Sequence, residues 1–240
     1  MPELPAPLPP GERTMGQVVA ETIRAYGADF WRLLPLGIPL AVADQLSVRH
    51  SPLAQIAIYL ALTPLFVAAF LWAIVRVQRV RPTSAAVLAA LLIYLPFPEL
   101  RAVFVLPAVA WFAFIGLAVP AAAVERLGLR DALERGRRLG TADYVHSLGS
   151  MAALVIVVGV SADVLSALLH TQGDNGQRVA VFMSDLVLSP LLFVGGVLLY
   201  ADQAARIGSR RSDRRRRRNA DLHPPLDADA AGRADPQVEP

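Results

Sequence analysis

The chain contains no cysteine and no lysine. Without cysteine, disulfides, thiol catalysis and thiolate metal sites are excluded. Without lysine, all 23 basic side chains are arginine, which we read as the coding bias of a GC-rich bacterial genome. The four histidines fall in no HExxH-like spacing, so no metal site is expected. No serine sits in a GxSxG context, and no Walker-type or GxGxxG loop is present. Nucleophile-elbow chemistry and nucleotide binding are therefore not indicated. No catalytic residue, cofactor or enzymatic activity is expected.

Apolar sequence is abundant instead. Hydrophobic residues make up 55% of the chain and mean hydropathy is +0.45. A soluble domain of this length needs far more polar surface. The apolar residues fall into stretches at about 30–46, 53–75, 83–97, 102–124, 148–170 and 179–200. The pattern predicts an all-α, multi-pass membrane bundle of six transmembrane helices occupying residues 14–208. Pro35, Pro39 and Pro64 predict kinks within spans rather than ends of spans. The third stretch is short for a crossing and ends in the turn signal Pro96-Phe97-Pro98-Glu99. The first dozen residues are Pro-rich and acidic, without the basic region of a signal peptide, so the first span is expected to direct its own insertion.

Arginine is sorted between alternate connections. With the N-terminus inside, 20 of the 23 arginines lie on the inner side, and only Arg49, Arg101 and Arg178 lie outside. By the positive-inside rule both termini and residues 125–147 are cytoplasmic, and the membrane is the bacterial inner membrane.

Two amphipathic cytoplasmic helices accompany the spans. One begins at Thr14, with Gln17 at capping-box spacing, and carries Met15, Val18, Val19, Ile23, Tyr26 and Phe30 on one side. The other covers 125–139, with Leu129, Ala132, Leu133 and Gly136 on one face. Residues 1–13 read as a disordered lead, and 209–240 as a disordered tail, Arg-rich and then acidic. Arg24 to Phe30 and Arg138 to Tyr144 are loosely alike; a parallel internal repeat and chance similarity both remain open.

Three short motifs carry a resemblance. They are Gly16 to Tyr26 with Phe30-Trp31, Val124 to Gly128 with Asp131 to Leu139, and Leu198 to Asp202 with Arg206. Together they resemble the bacterial six-helix membrane proteins related to the membrane domain of glycerophosphoryl diester phosphodiesterases. The resemblance implies the architecture over about residues 14–206 and no activity. The chain departs from the pattern in having a wholly apolar stretch from Ser84 to Tyr94, and Gly136 where a serine is usual.

Ionisable residues within spans are the places where function concentrates in a membrane protein. Asp163 and Asp185 lie at matched depth on consecutive antiparallel spans. Ser166 and His170 share a face with Asp163, and Arg178 and Ser189 share one with Asp185. Facing each other, these six form an outward-opening polar seam, a site for a proton, a cation or a polar ligand. The plainer reading is a structural contact with one carboxylate paired to Arg178 or His170. Asp44 is expected only to reach the outer headgroups. The tryptophans Trp31, Trp72 and Trp111 read as interface or packing residues. The run Arg214, Arg215, Arg216, Arg217, Arg218 locks the tail inside and is suited to anionic lipid headgroups. Nucleic acid is not an expected partner.

The leading expectation is a non-enzymatic scaffold or membrane-homeostasis component whose surface helices dock a membrane or cytoplasmic protein. A small transporter or channel built on Asp163 and Asp185 is the alternative. An accessory of membrane-embedded lipid modification is the third.

Overall fold

A computed structural model describes residues 9–169 and 173–222, and among these the chain is helical with no strand. The order is α1 (Met15–Ala28), α2 (Phe30–Leu33), a 3-10 turn (Leu34–Gly37), α3 (Ile38–Ser47), α4 (Pro52–Ala61), α5 (Thr63–Gln78), α6 (Ser84–Tyr94), α7 (Phe97–Val103), α8 (Val105–Ile115), α9 (Ala118–Val124), α10 (Leu129–Ala142), α11 (Tyr144–Leu169), α12 (Gly173–Leu188) and α13 (Pro190–Leu222).

Four stretches are long and apolar enough to cross a membrane: Ser84–Ala102, Val105–Val124, Tyr144–Leu168 and Gly176–Arg210. The pair α4 and α5, bent by 49° where they meet, adds a fifth if the two are one span. Proline explains the breaks. Pro64 stands in the first turn of α5, where its missing N–H leaves no helical bond unmade but the preceding helix loses its continuation. Pro35 and Pro39 likewise fall in the opening positions of the 3-10 turn and of α3. The first apolar stretch is thus three short pieces rather than one kinked helix.

The third stretch runs further than its turn signal suggested. Pro96 and Pro98 flank Phe97 at the start of α7, positions that tolerate proline, and the Leu100 N–H bonds the Pro96 carbonyl at 3.0 Å. The helical path continues to Val103, and extended backbone at Phe104 (φ −172°, ψ 155°) makes the break instead.

α1 and α10 close one end of the bundle. Thr14 and Gln17 form the capping box at the start of α1, the Thr14 N–H donating to Gln17 Oε1 at 2.7 Å. Val18, Thr22 and Tyr26 are the buried stripe of α1, which packs on α11 and α13. α10 begins at Leu129, later than expected, after a connection in which Arg126 takes a left-handed conformation (φ 53°). Its buried face is Ala132, Gly136, Leu139 and Gly140. A Cβ on Gly136 would lie 2.5 Å from the backbone nitrogen of Ala118. That close packing of α10 on the backbone of α9 leaves no room for a side chain at position 136.

The core is largely alanine and aromatic. Ala73, Ala86, Ala89, Ala90 and Ala118 are fully buried, which lets helices approach closely. Phe66, Phe70, Tyr94, Phe97 and Phe112 form a connected aromatic layer, with ring centres 4.9 Å apart for Tyr94 and Phe112 and 6.1 Å for Phe66 and Tyr94.

The lead is not free throughout its expected length: Gly11 and Arg13 are bonded to α13. The α13 backbone stays helical to Leu222, past the arginine run. The side chains of Arg214, Arg215, Arg216, Arg217 and Arg218 lie outside the described ones, as do residues 223–240.

Candidate functional site

At the end of the bundle opposite α1 and α10, four elements remote in sequence bring polar side chains together. Asp44 comes from α3, Tyr59 from α4, Arg101 from α7 and Asp185 from α12. The approach of α12 depends on Gly37, where a Cβ would sit 2.0 Å from the Leu186 carbonyl oxygen. Only glycine permits that contact, and it sets Asp185 beside α3.

Asp44 accepts a hydrogen bond from the Tyr59 hydroxyl and one from Arg101 Nη2 at 3.0 Å. The Arg101 guanidinium also stacks 4.4 Å from the Tyr59 ring centre, so this pair is held on two sides. Asp185 lies against Asp44 and Arg101. Its residue is only 5% exposed, yet Oδ2 has no hydrogen-bond partner. One turn on, Ser189 is fully buried and its Oγ is also unpartnered.

These groups line a cavity of about 430 Å³. Asp44, Arg101, Asp163, Ser166, Asp185 and Ser189 supply its polar wall, and the aromatic layer with Leu and Val side chains supplies the rest. Asp163 and Asp185 therefore border the same space, the first exposed and the second buried. Ser166 Oγ accepts from Gln177 Nε2 at 3.2 Å, which ties α11 to α12. Arg178 is exposed and does not line the cavity; its carbonyl accepts from Gln45 Nε2 at 2.7 Å. His170 lies outside the described residues.

Asp44 does not merely reach outward, as expected; it is the hub that holds Arg101 and Tyr59. The reason is the continuation of the third stretch through α7, which carries Arg101 back onto α3 and α4. Reading the turn signal as the end of that stretch turned Arg101 into a loop residue and hid the pair. The available clue was an Asp and an Arg both near the expected outer boundary, one in the first apolar stretch and one just after the third.

The other end is built differently. Asp202 is fully buried and saturated: it accepts from the Gly11 N–H at 2.8 Å and from Arg206 Nε at 2.8 Å, and it lies 3.1 Å from His146 Nε2. Arg206 extends to the Arg13 carbonyl and to Asp143 at 3.5 Å. Glu125 accepts from Arg135 Nε and from the Tyr200 hydroxyl, both at 2.9 Å. The motif residues Glu125, Arg135, Tyr200, Asp202 and Arg206 thus meet in knots that join the lead, α10 and α11 to α13.

Among the described residues no group of three or more His, Asp or Glu is placed to hold a metal ion. No family model, curated protein or solved structure matches the chain.

Proposed function

We propose that the chain is a six-span inner-membrane protein with both termini inside, and that it is a small transporter for an amphiphilic cation. The single observation that carries this is Asp185: a buried carboxylate with an unpartnered oxygen, on a residue that lines a cavity combining a polar wall with aromatic and aliphatic side chains. Three carboxylates, Asp44, Asp163 and Asp185, face that space against one guanidinium, Arg101. Arg101 is committed to Asp44. Asp44 and Asp185 are in contact, and two such carboxyl groups hold either a shared proton or a cation, so a bound cation takes the proton's place. A monocation with an aromatic or aliphatic body supplies the charge at Asp185 and covers the rings with its apolar part.

Movement is supported by a break beside the cavity. The bend between α4 and α5 falls at Leu62, one turn before the cavity-lining Phe66. Broken helices of this kind line substrate sites in transporters.

The test is uptake of ethidium into proteoliposomes that enclose DNA. Parent protein is expected to raise uptake above empty vesicles, and Asp185→Asn to return it to that baseline while inserting normally. Equal uptake by parent and variant contradicts the proposal.

A second reading, the non-enzymatic scaffold, is favoured by the charged side of α10, where Arg130, Arg137 and Arg138 are exposed. A stoichiometric partner retained by the parent and lost on replacing those three arginines supports it. The resemblance to the glycerophosphoryl diester phosphodiesterase membrane domain is compatible with either reading.

A further inference from the structure

A second cavity, of about 390 Å³, lies where α2 meets the end of α5. Arg32, Arg76, Arg79 and Arg81 line it, with Asp29 as the only acid. Asp29 is paired with Arg32 at 3.4 Å, which leaves three guanidiniums without a carboxylate among the described residues.

The arginines are arranged rather than merely numerous. Arg76 stacks 4.6 Å from the Trp72 ring centre, and its Nε is buried with no hydrogen-bond partner. Trp72 in turn donates to the Arg32 carbonyl at 3.4 Å, tying α5 to α2. Arg79 adopts a left-handed conformation, φ 55°, which ends α5 and turns the chain so that Arg79 and Arg81 border one space with Arg76. A non-glycine residue in that region is uncommon.

Four arginines bordering one space offer the paired N–H donors that the oxygens of a phosphate take. The neighbouring surface is apolar and aromatic: Trp31 is 80% exposed and Trp72 45%. Tryptophans beside arginines are the dress of a headgroup layer. We propose that this pocket binds the phosphate of an anionic phospholipid of the inner leaflet, which rests on the orientation proposed above and not on the cation cavity.

Native mass spectrometry of the full chain in detergent tests this, with phosphatidylglycerol, phosphatidylcholine of the same acyl chains, and inorganic phosphate as probes. One phosphatidylglycerol per chain should be retained, with phosphatidylcholine bound at least about tenfold more weakly. Arg79→Gln with Arg81→Gln should weaken phosphatidylglycerol binding by about tenfold or more, at roughly 1 kcal/mol per removed charge, while the melting temperature holds. Arg81→Gln alone, at an exposed position, should show a smaller loss in the same direction, so a folding defect at Arg79 would not mask the effect. Glutamine at Arg214 to Arg218 should leave the bound lipid in place. Equal retention of both lipids, or full retention by the double variant, overturns the proposal. So does displacement of the lipid by an equal concentration of inorganic phosphate, which points to a soluble phosphate compound.

Discussion

Asp202 and Asp185 are both buried aspartates on the last two helices, and their surroundings differ completely. Asp202 accepts from the Gly11 N–H and from Arg206 Nε and lies 3.1 Å from His146 Nε2. Asp185 leaves one buried oxygen unpartnered, on a residue that lines a cavity. A buried carboxylate that is fully satisfied holds helices together, whereas one left open costs stability and calls for another reason to be there. The α10 end thus reads as the fixed part of the bundle, and the Asp44–Arg101–Asp185 end as the part built to meet something.

The sharpest way to break that contrast is to remove Asp202. Asp202→Ala leaves Arg206 and His146 facing each other in a closed site. A loss of about 3–5 kcal/mol is expected for breaking such a buried ionic group, measured as a large fall in melting temperature in detergent. A small change would show that the knot is ornamental. Gly136→Val comes next. The added atoms collide with the Ala118 backbone, and overpacking of this kind costs ~1–3 kcal/mol. Tyr200→Phe removes one of the two donors to Glu125 and should cost about 1 kcal/mol, since Arg135 remains. Asp185→Leu should be smallest, within about 1 kcal/mol of the parent or slightly more stable, because removing an unsatisfied buried polar group relieves its desolvation cost.

How far the sequence disclosed this contrast depends on the kind of signal. Helix content, apolar stretches and the Thr14–Gln17 cap are local and periodic, and they were readable. That Asp163 and Asp185 deserve notice was readable too, from charge inside apolar stretches. Their partners were not. Asp185 lies with Asp44, which is far away in sequence, because Gly37 lets α12 touch the 3-10 turn; nothing at positions 37 and 186 advertises that contact. Pro96 and Pro98 illustrate the opposite difficulty. Prolines mark turns and helix starts alike, and here they open α7 and carry Arg101 into the site. The Asp202 knot was visible only as a motif, since its partners Gly11 and His146 come from a segment read as loose and from a histidine with no recognisable spacing.

The most direct test is thermal stabilisation by tetraphenylphosphonium in detergent, read for the parent, for Asp185→Asn and with size-matched tetraphenylborate as the control. A cation held by Asp185 should raise the melting temperature of the parent, leave Asp185→Asn unmoved, and do so where the anion does not. Equal shifts in parent and variant, or equal shifts with cation and anion, would contradict the claim that the open carboxylate makes this end of the molecule a cation site.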